Sequence, residues 1–196
     1  MIRSRIAIGC ALVALAAAPL AAQELSPEGQ KAMEAYTKLM ATNEHHEFLA
    51  NFAGDWRVTN TAWMQPGAPP MASESAAHGE IVLGGRFLVL QHDGVMFGQP
   101  FEGIQIVGYD NMQKKYVSFW IDNTGTGFYL TSGTREAGSS AIRDAGAWPD
   151  PGTGGITNVR AVTTLVSPDE FTYELFMVGA DGSEFKSLEN RAVRAR

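Results

Sequence analysis

The stretch Asn51-Phe52-Ala53-Gly54-Asp55-Trp56 decides how the rest of the chain reads. Ahead of it, Met33, Tyr36, Leu39 and Met40, and then Phe48, Leu49 and Phe52, recur at helical spacing. The spacing predicts one or two helices between Pro27 and Phe52. Ser26-Pro27-Glu28 opens them with a hydroxyl cap, a proline in the first turn and an acid. Gly54 closes them, because glycine accepts the positive φ that a helix cap asks for. Trp56 then opens the first of many strands.

Beyond Trp56 the texture changes. Short segments rich in Val, Ile, Thr, Tyr, Phe and Trp alternate with Gly, Asn, Asp and Pro, the pattern of an all-β sandwich or barrel. The predicted strands are 55–64, 75–83, 86–91, 103–109, 115–122, 127–134, 139–145, 157–167, 170–178 and 183–193. No helix-length pattern interrupts them, so parallel crossovers are excluded in favour of antiparallel neighbours. An up-and-down β-barrel of about ten strands closes on itself and leaves no sticky edge. Gln65 to Pro70 and Trp148 to Gly155 read as exposed connections because their prolines cannot donate to a ladder. Asp181-Gly182 reads as a hairpin turn.

One hairpin, Gly103 to Asp122, can be resolved into faces. A four-residue loop over Asn111 to Lys114 sets Asp110 opposite Lys115. Ile104, Ile106, Val117, Phe119 and Ile121 then share a wholly apolar face. Gln105, Val107, Tyr109, Tyr116, Ser118, Trp120 and Asp122 share the other. That mixture of aromatic and hydrogen-bonding groups suits a ligand cavity; it also suits a half-exposed margin.

The first residues follow a different logic. Arg3 and Arg5, the apolar run Ile6 to Leu15 and the small residues Ala16 to Ala22 have the order of a secretory signal peptide. The run is too short to span a bilayer, which takes roughly 20 residues. We read residues 1–22 as a leader cut after Ala22, 23–53 as a helical segment and 54–196 as the barrel. Cys10 is the single cysteine and most of the apolar run follows it, so a lipid anchor is disfavoured. A chain cut after Ala22 has no cysteine, which removes disulfides, thiol nucleophiles and sulfur ligation. With 15 basic and 21 acidic residues the formal charge is −6, and loss of Arg3 and Arg5 makes it more negative. Such a surface repels phosphate backbones, so nucleic acid is not an expected partner. The mature protein is expected to be periplasmic or secreted, without stable membrane insertion.

Gly54-x-Trp56 after a helix resembles the signature of the lipocalin and fatty-acid-binding (calycin) barrels. There the glycine permits a corner and the tryptophan packs over the closed end. A basic residue near the chain's end often covers that ring, and Arg191, Arg194 and Arg196 are candidates. The wider pattern is His46 with Leu49, Leu83-Gly84-Gly85-Arg86-Phe87-Leu88, Gly98-x-Pro100-Phe101-x-Gly103, Gly108-Tyr109-Asp110, Tyr116 and Trp120-Ile121-Asp122. From His46 onward the chain is similar to the bacterial family called domain of unknown function 1579, often exported and lipocalin-like. The resemblance implies a fold and brings no catalytic residues.

Specific chemistry finds little support. His46-Glu47 lacks the second histidine of a zinc-protease helix, since position 50 is Ala50. His45 and His46 are adjacent and diverge on a helix; His46 reads as a cap or as packing at the barrel mouth. Some calycin-like barrels hold haem through one histidine, but His78 and His92 stand alone on separate strands and read as structural. Gly138-Ser139-Ser140 is not a nucleophile elbow, and Gly152 to Gly155 precedes no helix. Asp110 and Asp122 sit beside turns, where aspartates bond local backbone. We therefore expect no catalytic residue, metal or cofactor.

A small apolar or amphipathic ligand is the expected partner, with Arg86, Gln105, Tyr109, Tyr116, Trp120 and Asp122 as its contacts. Gly54 and Trp56 would form the barrel corner. Arg86 would grip an anionic head group if it points inward. Two alternatives remain open. One is an isomerase, lyase or hydrolase using Tyr and Asp on the same barrel. The other is a packed barrel acting as an interaction module.

Overall fold

The computed structural model describes residues 25–96, 98–150 and 154–196. The leader read over 1–22 lies outside the described residues. The chain divides into two compact units, Met1–Thr37 and Lys38–Arg196. Helix α1, Pro27–Leu39, buries none of its residues. Its start is the predicted one, with the Ser26 hydroxyl accepting from the Gly29 amide at 3.2 Å. Among the described residues no helix is long and apolar enough to cross a membrane.

The second unit is a closed antiparallel barrel of ten strands. They are β1 (Gly54–Ala62), β2 (Met71–Val82), β3 (Phe87–Met96), β4 (Gln99–Asp110), β5 (Lys115–Asp122), β6 (Tyr129–Arg135), β7 (Ala141–Pro149), β8 (Ile156–Ser167), β9 (Glu170–Val178) and β10 (Glu184–Arg194). Each pairs with its sequence neighbour, and β1 pairs with β10 to close the ring. Two strands take in a proline: β7 reaches into the stretch read as a connection, and β4 starts ahead of its predicted Gly103. Pro149 ends β7 opposite Ile156, and Pro100 lies near the start of β4 opposite Val95. At a strand end proline forfeits one ladder donor only, so it terminates the strand without breaking it. Trp148 therefore belongs to β7 and not to a loop.

Helix α2 (Glu44–Leu49) and a 3-10 turn (Ala50–Phe52) sit at the end of the barrel where β1 begins and β10 finishes. Their sequence closes that end. Leu49 and Phe52 drop into the core beside Trp56, Val58, Leu88 and Phe171. Phe171 meets both Phe52 and Trp56 edge to face, with centroids 5.2 and 4.7 Å apart. The Trp56 indole donates to the Phe52 carbonyl at 2.9 Å and is 1% exposed. Of the three candidate arginines, Arg194 covers the ring at 4.1 Å. Its guanidinium also donates to the carbonyls of Ala53 and Pro168, both at 2.9 Å, tying the last strand to the corner.

The glycine at this corner has a double reason. Gly54 has φ +104°, and a Cβ there would stand 2.6 Å from an Arg194 nitrogen. So the helix-to-strand switch at Gly54 makes room for the arginine that seals the tryptophan. The helix itself ends two residues earlier, in the 3-10 turn, with Ala53 already extended.

Candidate functional site

Above this floor the barrel encloses a cavity of about 890 Å³. Leu49, Phe52 and Val58 line its bottom, and Met71, Val95 and Met96 its other end. The latter three are exposed, so the cavity opens to solvent where β2 begins and β3 finishes. An 890 Å³ space is in the range of small-molecule sites, roughly 300 to 1,000 Å³.

The β4–β5 hairpin has the predicted register, with Asp110 opposite Lys115 and Gln105 opposite Trp120. Its mixed face turns inward: Gln105, Val107, Tyr116, Ser118, Trp120 and Asp122 all line the cavity. Its apolar face turns outward, leaving Ile104 and Ile106 exposed. Trp120 lies across the neighbouring strand, and a Cβ on Gly103 would stand 2.4 Å from its ring. The Trp120 indole donates to Asp122 at 2.7 Å. Asp122 also accepts from the Thr124 amide and hydroxyl, bonds that hold its carboxyl below the usual range against the opposing cost of burial.

Two of the expected contacts lie elsewhere. Arg86 is outside the cavity lining. Its guanidinium donates to the carbonyls of Leu83 and Gly84 at 3.3 Å and of Met40 at 3.4 Å, bracing the turn between β2 and β3. Tyr109 also falls outside the lining; its ring stacks on His45 at 3.9 Å in the closed end. The strand periodicity placed Tyr109 on the correct face, but α2 occupies the space below it. His46 takes the capping role read for it, and not the one at the mouth. It is buried in the closed end as the third residue of a capping box, its Nδ1 accepting from the Asn43 amide at 3.1 Å. His45 Nδ1 meets the Tyr116 hydroxyl at 3.0 Å, and Arg135 donates to that hydroxyl at 3.1 Å. Asp110 accepts from the Met112 and Gln113 amides as an ordinary turn aspartate.

The wall also contains His92, which was expected to be structural, and residues that were not singled out. His92 on β3 lines the cavity with its ring edge-on to Trp120 at 5.2 Å. Burial lowers its pKa to about 4, so the ring is neutral near pH 7. Asp144 on β7 is 9% exposed and accepts from the Thr131 hydroxyl at 2.6 Å. Burial pushes this carboxyl up, and burial with the Asp144 charge nearby pushes the Tyr173 phenol up as well. Asn190 lines the wall where β10 pairs with β9, opposite Tyr173.

A signal for His92 and Asp144 does exist in the sequence. His92, Gln105, Ser118, Thr131 and Asp144 follow one another at the same interval on β3 to β7, and all line the cavity. Two of the steps, each thirteen residues long, are closed by hydrogen bonds, Gln105 to Ser118 at 2.9 Å and Thr131 to Asp144. Between them, Ser118 and Thr131 face each other across β5 and β6. Hairpins of nearly equal length generate this offset, and the result is a polar ribbon crossing five strands. The rest of the lining is mainly apolar or aromatic, including Phe101, Tyr129, Trp148, Leu175 and Met177.

The chain is similar to solved structures. The crystal structure of Rv2717c from M. tuberculosis is similar at TM-score 0.57 and 15% identity, over 80% of this chain and 100% of that one. A redesigned β-barrel, mFAP0, bound to DFHBI, is similar at TM-score 0.38 and 17% identity, over 74% of this chain and 99% of that one. The likeness to Rv2717c shows the fold alone. No curated protein matches the chain. The match to the family described as a protein of unknown function, DUF1579, runs over residues 41–194, and the protein belongs to that family.

Proposed function

We propose that this barrel is an exported binding protein for a small apolar or amphipathic molecule. The observation that carries the reading is the cavity, about 890 Å³ and open at one end, with aromatic walls and a few positioned polar groups. Binding would bury apolar ligand surface against the floor and walls, at roughly 25 cal/mol per Å², while the polar ribbon fixes orientation. The open interior argues against a packed barrel serving only as an interaction module. Export rests on the leader-like residues 1–22 and periplasmic or secreted placement follows from it. Catalysis keeps one supporting observation, the Asp144 carboxyl pushed up by burial beside Tyr173.

The test is native mass spectrometry of the protein purified without detergent from its own compartment, followed by solvent extraction. A reproducible extra mass, one per chain and lost in Trp120→Ala, is expected. A bare chain that also fails to take up any amphipathic probe would overturn the reading. Conversion of the extracted molecule by fresh protein would move the assignment to an enzyme.

A further inference from the structure

The cavity wall is chemically one-sided. Its lining includes three aspartates, Asp122, Asp144 and Asp150, and among the described residues neither a lysine nor an arginine. Asp122 has its partners in Trp120 and Thr124, and Asp150 accepts from the Thr157 hydroxyl at 3.2 Å. Asp144 is different: one oxygen is held by Thr131 while Oδ1 is buried and meets no partner. Two more buried atoms in the lining share that condition, Nε2 of His92 and Oδ1 of Asn190.

Buried polar atoms are nearly always hydrogen-bonded, so three orphans on residues of the lining call for a cause; they stand on three sides of the barrel, on β3, β7 and β10. All three can accept. A carboxylate oxygen and an amide oxygen only accept, and a neutral imidazole accepts on whichever nitrogen lacks the proton. An occupant that reaches the free oxygen of Asp144 must therefore donate to it. A carboxylate head group cannot, and it would meet the field of the aspartates with no cation to offset it. An ammonium group donates three hydrogen bonds and accepts none. It would also gain from the aromatic face of Tyr173, which lies close to Asp144 in the lining.

We propose that the cavity selects amphipathic molecules whose polar end is a protonated amine, and that Asp144, on the polar ribbon from His92, is its anchor. The apolar body of the ligand then fills the space toward the floor of Leu49, Phe52 and Leu88. This inference rests on the binding function proposed above and names the class of ligand. It replaces the anionic head group that an inward Arg86 would have held.

The experiment compares three probes with one tail: dodecylamine, dodecanol and dodecanoate. Trp120 and Trp148 line the cavity, so their fluorescence reports occupancy directly. Dodecylamine should bind more tightly than dodecanol by about tenfold or more, the size of a charge-assisted hydrogen bond. Dodecanoate should be the weakest. Asp144→Asn should weaken the amine by more than it weakens the alcohol, closing most of the gap between the two. The ranking of the three heads on the wild type does not depend on any variant folding. Equal affinities, or dodecanoate as the tightest, would overturn the amine proposal and leave the binding function standing. An amine preference that survives Asp144→Asn would remove Asp144 as the anchor. Binding of none of the three would overturn the binding function and the amine proposal together.

Discussion

At the closed end of the barrel the Trp56 indole, the Arg194 guanidinium and the His46 ring each meet a partner. In the cavity wall above them Asp144 Oδ1, His92 Nε2 and Asn190 Oδ1 meet none. The ten strands run through both regions, and α2 with the 3-10 turn plugs only the first. At the floor, polar groups are used to lock apolar surface in place. Along the ribbon, polar groups are held in position with valence to spare. The floor is where folding free energy concentrates, and the ribbon is where some of it is given up for recognition.

Substitutions can break this contrast. The largest effect should come from Trp56→Ala. It removes the ring that Phe171 and Arg194 enclose, and urea denaturation should show a loss of about 3–5 kcal/mol. A loss below about 1 kcal/mol would mean the closed end is not the main stabilising region.

The next effect depends on pH. His92 has its pKa lowered from 6.5 to about 4 by burial. The folded protein then binds fewer protons than the unfolded chain across that window, so stability rises with pH from about 4 to 6.5 and falls as pH drops through it. The His92 share is at most about 3 kcal/mol, less where cavity water screens the ring. His92→Gln should flatten the slope measured between pH 4 and 6.5, after allowing for His45 and His46, whose pKa values burial also lowers. An unchanged slope would show that the ring is solvated in the cavity.

Arg194→Ala should act more weakly. It loses the cover of Trp56 and the carbonyl bonds to Ala53 and Pro168, about 1–2 kcal/mol in all. Arg194→Lys should recover only part of it, since a point charge cannot span both carbonyls and the ring. Full recovery by lysine would reduce the clasp to its charge.

Much of the barrel was legible in the sequence because closure leaves a local trace. Gly54-x-Trp56 marked the corner, and the alternation along Gly103 to Asp122 set both the register and the inward face. Strand ends were harder: β2 and β3 reach further toward the mouth than their hydrophobic runs suggest, since exposed mouth residues such as Ser73 and Asp93 need not be apolar. The site was legible in part. Gln105, Tyr116, Trp120 and Asp122 came from one hairpin read by alternation. Arg86 and Tyr109 were misplaced because alternation says which face a residue takes but not what covers it. Asp144, Thr131 and Asn190 were invisible singly, as a polar residue on a strand normally faces water. The repeated interval of the ribbon betrays Thr131 and Asp144, and its meaning depends on how neighbouring strands are staggered; Asn190, on β10, lies outside the ribbon and has no such signal.

The most direct test of the account is thermal unfolding of the wild type and Asp144→Asn, each with and without saturating dodecylamine. Empty, the two should unfold within about 1 kcal/mol of each other, because Asn keeps the Thr131 bond while removing a buried charge that lacked a second partner. With the amine present, the wild type should rise in Tm and the variant should rise distinctly less, as ligand linkage requires when the anchor is lost. Equal rises, or none in the wild type, would contradict the claim that the ribbon is the unfinished half of a binding site.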